Sequence, residues 1–292
     1  MSVKYWIQNA ALRGIMGGLF LLPYHLRVPL AGVFMSKVVA PMAGYRTRTR
    51  DNLRHVLPDL SAAEIEQVVD QAPNNAGRTI MELYSAQKFL SIVRDPKISG
   101  SGHALLMQAL ADGRPVLIVS GHIGNYDAVR GYLAGQGYQV GGLYRPLNNR
   151  HMNAHYLSAI SQIGTPLFER GRKGLAHLVR HLRGGGPVAL LHDQRMQSGI
   201  EIDFFGKPAL TALSVAEMAL KYDALLVPAY GIRLADGLNF EVHFEAPVTH
   251  STPKAMMQAL NLSLENQIRN NLGQWLWFHK RWKPRPPPDK NK

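Results

Sequence analysis

Apolar positions along the 292 residues fall into two textures. From 46 to 95 they recur at helical spacing. SAAE at 61–64 has the Ser-x-x-Glu form of a capping box ahead of an amphipathic run, and NNAGRTIMELYSAQKFLSIVR, 74–94, carries one long helical pattern. From 97 onward, apolar runs of strand length alternate with helical stretches. PVLIVS (115–120), YQVGGLY (138–144), PVALLHD (187–193), ALLVPAYGIRL (224–234) and LNFEVHFEA (238–246) read as strands. NYDAVRGYLAG, NNRHMNAHYLSAIS, KGLAHLVRHLRGG and TALSVAEMALKYD read as helices between them, and QALNLSLENQIRNNLGQWLWFHKRW reads as a closing helix. This alternation predicts an α/β fold with a central, largely parallel sheet flanked by helices. The runs at 115, 187 and 224 are continuously apolar, as strands covered on both faces are. With no internal repeat and no linker, the chain divides into N-terminal helices over 1–45, one α/β domain over 46–286 and a basic tail over 287–292.

The first 45 residues are apolar but broken by charge. Only 13 uncharged residues separate Arg13 from Arg27, with Pro23 among them, and Lys37 interrupts the run after Val28. A spanning helix needs about 20 apolar residues. A signal peptide fits poorly, because cations follow the apolar segment and no small-residue cleavage site does. The pattern suits helices lying in a membrane interface, with apolar faces in the bilayer and Arg and Lys reaching the headgroups. A pair of core helices would show the same pattern.

Charge sharpens that picture. The chain has net charge +13 and no cysteine, which excludes disulfides, thiolate catalysis and zinc–thiolate sites. The first 50 residues hold seven Lys and Arg and no acid, and six more cations crowd into HKRWKPRPPPDKNK at the end. Such a balance points to polyanionic partners: anionic lipid, phosphorylated substrates or nucleic acid.

The candidate chemistry is in VSGHIGNYDAV, 119–129. With 12 histidines and 20 acidic residues, about one His followed by an acid at +5 is expected by chance, so the His122–Asp127 spacing alone is weak. Its placement adds to it. His122 follows a buried strand, at the sheet edge where α/β proteins place their sites. Gly121 and Gly124 permit a tight turn, and Asn125 is a candidate N-cap. Across such a junction Asp127 can fold back on the imidazole, orienting His122 as a general base. No G-x-S-x-G elbow is present, so the nucleophile would be the substrate's own hydroxyl. His122 packing or capping a turn is the plainer alternative. His192–Asp193 ends the 187–193 strand at the same edge, which makes Asp193 a second candidate. His177 and His181 are one turn apart but lack a third ligand, and fit a solvated basic helix face.

Around this stretch the chain resembles the late acyltransferases of lipid A biosynthesis, the lauroyl/myristoyl transferase family of the lysophospholipid acyltransferase-like superfamily. GHIGNYD resembles the family's H-x-x-x-x-D/E block. RDNLRHVLPDLSAAE (50–64), GLYRPLNN (142–149), ERGRKG (169–174), LLHDQR (190–195), IDFFGKPALTALSVAEMALKYDALLVPAYGIR (202–233) and QWLWFHKRWKPRP (274–286) are similar to its other blocks, in order. The resemblance implies a glycerolipid acyltransferase-like fold. It implies transfer of a fatty acyl chain from an acyl carrier protein thioester to a hydroxyl of an anionic lipid acceptor, a lipid A precursor. The place would be the membrane surface, at the cytoplasmic face of the cell inner membrane, with no cofactor, metal or nucleic acid. It implies His122 as base with Asp127 as partner, and substrate binding by Asn125, Arg145, Arg170 and Asp193. The chain departs from the family pattern at Arg150 after the paired Asn, at NAHYLSAIS, which lacks the usual Arg, and at Arg195 in the D-Q-R block. These departures leave another glycolipid, phospholipid or aminolipid acceptor open. A metal-assisted lipid hydrolase using His122, His192 and Asp193 is a further alternative. A nucleic-acid binder stacking bases on Trp275, Trp277, Phe278 and Trp282 is another, although the resemblance gives those aromatics a lid or core role.

Overall fold

The strand Val116–Ser120 (β2) is buried at every residue and lies in the middle of the sheet. Its side chains alternate between two cores. Val116 and Ile118 pack with Phe89, Leu106, Val129 and Ile160 on one face. Leu117 and Val119 pack with Leu178, Leu182, Ala216 and Leu260 on the other. Burial on both sides is why this segment is apolar throughout. A computed structural model describes residues 13–283; the first twelve residues and the proline-rich basic tail from 284, including the 287–292 segment, lie outside the described residues.

The sheet has seven strands: β1 (Lys97–Ser99), β2, β3 (Gly141–Tyr144), β4 (Leu167–Glu169), β5 (Val188–Leu191), β8 (Leu225–Arg233) and β9 (Phe240–Phe244). Their order is β1-β9-β8-β2-β5-β3-β4. Every neighbouring pair is parallel except β8 with β9. A separate antiparallel hairpin joins β6 (Ile200–Phe204) to β7 (Lys207–Thr211). The α/β sandwich with its largely parallel sheet is thus as the periodicity predicts. The strands that periodicity missed are three-residue edge strands and the hairpin, too short or too mixed in character to carry a repeat.

Two expected helices are cut short. The 74–94 pattern is divided between helices Ala62–Tyr84 and Ala86–Val93 by Ser85, whose backbone leaves the helical region. The capping box at Ser61 and Glu64 forms reciprocally. The closing helix stops at Asn270. Beyond a turn at Leu272–Gln274, Trp275 adopts an extended backbone and bridges to Ile123. Trp275 and Trp277 fill a third core with Phe204, Phe205 and Tyr230, so three dimensions draw this segment out of the helix and over the sheet edge.

Among the described N-terminal residues, helix Tyr24–Phe34 packs on helix Ala62–Tyr84, and a π-helical turn, Met35–Val39, follows it. The helices meet backbone to backbone: a Cβ on Gly77 would lie 2.5 Å from the Ala31 carbonyl oxygen. Helix Ala62–Tyr84 also supplies carboxylates to the basic N-terminal residues. Asp70 accepts from Lys37 at 2.9 Å and from Arg46, and Glu66 accepts from Arg50 at 2.7 Å. Among the described residues no single helix is long and apolar enough to cross a membrane; a pair bent by 87°, Tyr24–Met42 and Tyr45–Val56, meets the length and composition together. Leu21, Leu26, Leu30, Val33, Val38 and Met42 are exposed. Because the Gly77 contact has no room for a side chain, Gly77→Val should lower the unfolding free energy by about 1–3 kcal/mol in urea denaturation; an unchanged midpoint would refute so close a crossing.

Candidate active site

The site is built on the turn between β2 and helix Asp127–Gly135. Gly124 adopts a left-handed backbone, φ +56, and a Cβ there would meet the Gly231 carbonyl oxygen at 2.0 Å, so only glycine fits. That carbonyl accepts the Asn125 N–H at 2.8 Å. The N-cap position falls to Tyr126, one residue after the Asn125 the sequence suggests; Asn125 Oδ1 instead accepts the Asp127 N–H across the turn at 3.0 Å, while its Nδ2 donates to Glu82 at 2.8 Å. Glu82 is fully buried and forms a bidentate pair with Arg233 from the end of β8. Arg233 Nε donates to Asn75 Oδ1 at 2.9 Å, and Asn75 Nδ2 donates to the carbonyls of Gly124 and Gln274, each at 2.9 Å. The turn is therefore held from below by a closed network of buried polar groups.

His122 lies at the rim of this frame. Parallel pairing places Ser120 beside Leu191, so the residues two steps beyond, His122 and Asp193, emerge side by side. His122 Nδ1 donates to Asp193 Oδ1 at 2.7 Å, and the His122 backbone N–H donates to Asp193 Oδ2, also at 2.7 Å. Trp275 Nε1 donates to the same Oδ2 at 2.8 Å. With Nδ1 carrying the proton, Nε2 is the free acceptor, and Gln194 Nε2 lies 3.3 Å from it. The imidazole is 16% exposed against 3% for the carboxylate, so it reaches outward from a sealed base. Tyr126 meets it edge-on and His279 stacks on it at 5.6 Å.

The spacing reading placed the Asp127 carboxylate on the imidazole; the structure places Asp193 there instead. Asp127 is inside the first helical turn, where its Oδ1 accepts from Arg130 at 2.8 Å, and Arg130 also donates to the Gly164 carbonyl at 2.9 Å. Asp127 acts on His122 through space. Burial would depress the His122 pKa, but the charge and hydrogen bond of Asp193, with a further contribution from Asp127, raise it above its ordinary value. Asp193 is disfavoured as an anion by burial, yet His122, through its charge and through its side-chain and backbone hydrogen bonds, holds the carboxyl well below the usual range. Burial, then the charge of His122, lowers the pKa of His279.

Of the other sequence candidates, Asn125 is buried under the turn as a structural bridge. Arg145 and Arg170 are exposed at the same sheet edge, one step past the register pair Tyr144 and Glu169; Arg170 Nη2 lies 3.6 Å from Met196 Sδ. His192 Nδ1 donates to the Ser120 carbonyl at 3.0 Å, and no three His, Asp or Glu side chains converge as metal ligands among the described residues. Sequence reasoning passed over Glu82, Asn75, Gln194 and His279, and gave Trp275 no place at the site. Gln194, Trp275 and His279 were signalled only by membership of motif blocks, and Glu82 and Asn75 by nothing but a helical pattern, since their partners are 43 to 199 residues away.

Comparison with known proteins gives the class first: this is an acyltransferase that transfers groups other than aminoacyl groups. More narrowly, the chain belongs to the bacterial lipid A biosynthesis acyltransferase family, whose sequence profile matches residues 2–284. It is similar to a lipid A biosynthesis acyltransferase of Haemophilus influenzae, 22% identical over 95% of this chain and 88% of the relative. It is also similar to the lipid A biosynthesis palmitoleoyltransferase of Escherichia coli K12, 24% identical over 97% and 93%. A phosphatidylinositol mannoside acyltransferase of Mycobacterium tuberculosis is 24% identical over 80% of this chain and 76% of its own length.

Removing one partner of the buried pair beneath the turn leaves an uncompensated charge. Glu82→Gln should therefore destabilise the fold by about 3–5 kcal/mol in chemical denaturation, and wild-type stability in that variant would remove the network from its supporting role.

Proposed function

We propose that the protein moves a fatty acyl group from an acyl carrier protein thioester to a hydroxyl of a lipid acceptor, with His122 as general base. The observation that carries this reading is the Asp193–His122 alignment, which supports a proton on Nδ1 and leaves the acceptor Nε2 on the more exposed side, with Gln194 beside it. The acceptor hydroxyl gives its proton to Nε2 as its oxygen attacks the thioester carbonyl. The new C–O bond forms, the C–S bond breaks, and the imidazolium returns the proton to the departing thiolate. Asp193, held by two N–H donors besides the imidazole, steadies the imidazolium in between. Asp127 adds negative potential, while its hydrogen bond belongs to Arg130. In this reading the dyad of the H-x-x-x-x-D block becomes a shared field, with Asp193 supplying the contact.

The acceptor favoured by the family and by two of the relatives is a lipid A precursor. The mycobacterial relative and the departures at Arg150 and Arg195 support a second reading, the same chemistry on another glycolipid, phospholipid or aminolipid. We infer that the protein works at the cytoplasmic face of the inner membrane. The exposed N-terminal apolar side chains, with Leu21 at 87% and Met42 at 85%, support an interfacial anchor. Lys37, Arg46 and Arg50 are already paired with Asp70 and Glu66, so the apolar face matters more to that anchor than the N-terminal charge count suggests.

Two measurements test these readings. With acyl carrier thioester and lipid acceptor, His122→Ala should lose about 10²–10⁴ in turnover, and full activity would end the mechanism. The base works only when neutral and its pKa is raised, so activity should climb with pH through a midpoint above 6.5. Removing the anion in Asp193→Asn favours the neutral ring, and should shift that midpoint down while slowing turnover; Asp127→Asn should shift it less. For the anchor, Leu21→Glu with Met42→Glu should reduce co-sedimentation with anionic vesicles, and undiminished binding would place the anchor elsewhere.

A further inference from the structure

We infer that the exposed face of helix Arg172–Arg183 is the docking surface for the acidic protein that carries the acyl donor, an inference that rests on the donor being a protein-borne thioester. The helix is buried on one side only, where Leu178 and Leu182 pack with Leu117 and Val119. On the other side Arg172, Lys173, Ala176, His177, Arg180 and Arg183 are exposed. Spacings of three and four place them along one stripe, about 16 Å long at the helical rise. No Asp or Glu occurs between Arg170 and His192. Among the described residues, Arg172, Lys173, Arg180 and Arg183 have no ion-pair partner. Lys37, Arg46 and Arg50, by contrast, are paired with Asp70 and Glu66.

The stripe works against the helix that carries it. Arg180 and Arg183 are like charges one turn apart, a repulsive spacing. Arg172 and Lys173 occupy the first turn, where the helix macrodipole disfavours cations, and no acid accompanies them. An acidic partner surface offsets both effects. Position ties the stripe to the site. β4 ends at Glu169, and the helix starts three residues on at Arg172. Because β2, β5, β3 and β4 are successive parallel neighbours, β4 ends at the edge where His122 emerges. Three interstrand spacings separate β4 from β2, about 14 Å. Arg145 and Arg170, both exposed, extend the positive surface along that edge.

The surroundings select a protein over a bilayer. Leu175 is the one large apolar side chain exposed on this helix, whereas six are exposed between Leu21 and Met42. The helix also lies across the sheet from the N-terminal helices. Leu83, from the helix on which Tyr24–Phe34 packs, joins the core of Val116 and Ile118. Leu178 and Leu182 join the core of Leu117 and Val119 on the opposite face. No Trp, Tyr or Phe on the helix is available to stack on a nucleic-acid base. A short line of cations with one apolar contact at its margin complements an acidic helix of similar length on a partner protein. A carrier docked there presents its thioester at the edge where His122 projects.

Steady-state turnover of the full chain with two donors of one acyl length, acyl carrier protein thioester and acyl-pantetheine, separates docking from chemistry. Lys173→Glu with Arg180→Glu should raise KM for the carrier-borne donor by about tenfold or more, with kcat kept and turnover of acyl-pantetheine unchanged. Both side chains are exposed, and Lys173→Arg with Arg180→Lys, which keeps the charge, should retain the wild-type KM. Lys88→Glu with Lys254→Glu makes the same reversal at exposed positions of helices Ala86–Val93 and Pro253–Asn270, and should leave KM unchanged. An equal rise in both reversed pairs would mean only general surface charge, and an unchanged KM in the Lys173 and Arg180 pair would remove the docking surface. Co-sedimentation of that pair with phosphatidylglycerol vesicles should match the wild type; a fall parallel to the rise in KM would reassign the stripe to the bilayer. Equal use of the two donors by the wild type would end the protein-borne donor reading, whereas a carrier preference that survives the reversal would end the docking surface alone.

Discussion

The buried pair between Glu82 and Arg233 is the interaction on which the site depends. It brings together a helix that precedes the sheet and the end of β8, 151 residues apart. Burying two ions carries a large desolvation penalty, so such a pair is weak evidence of stability in itself. Its consequence here is positional. Asn125 and Asn75 complete its hydrogen bonds and carry them into the turn at Gly124 and into the C-terminal segment at Gln274. With nearly every polar group satisfied by a particular partner, the turn has few alternative conformations, and His122 projects from it in a defined direction.

Asp193 is the second point of convergence. One carboxylate receives the imidazole, the backbone of the same histidine and the Trp275 indole. Burial raises the energy of the anion, and the three donors offset that penalty while fixing both oxygens. Asp127 has a different partner in Arg130, which reaches on to Gly164 beside the start of β4. The two acids thus divide the work: one touches the histidine, and the other ties the first helical turn to the strands that carry Arg145 and Arg170, while its charge still acts on the ring.

The C-terminal segment shows how core packing and site formation coincide. Trp275, Trp277 and Trp282 surround Phe204 and Phe205 of the hairpin. Arg281, 1% exposed, donates to the Leu210 carbonyl and the Thr211 hydroxyl, both at 2.7 Å. These anchors hold His279 and Lys280 over the sheet edge. The family's C-terminal block is therefore at once a core plug and a wall of the site.

The amino-acid sequence by itself determined the α/β alternation, the double-sided burial of β2, β5 and β8, the capping box at Ser61, and the location of His122 at a strand end. Each of these is a local pattern, set by burial period or by turn chemistry within a few residues. The family resemblance was legible as well, because its blocks keep their order along the chain. Only the tertiary structure decided which carboxylate meets His122. Asp127 is five residues away but belongs to a helix that turns it towards Arg130, whereas Asp193 is 71 residues away and arrives through the parallel register of β2 and β5. The fate of 271–283 was decided the same way. Helical periodicity continues through those residues, but indole burial and the hydrogen bonds of Trp282 and Arg281 to the distant Phe204 and Leu210 carbonyls favour an irregular path of turns across the sheet edge. Register and long-range burial are properties of paired segments, and no single segment encodes them.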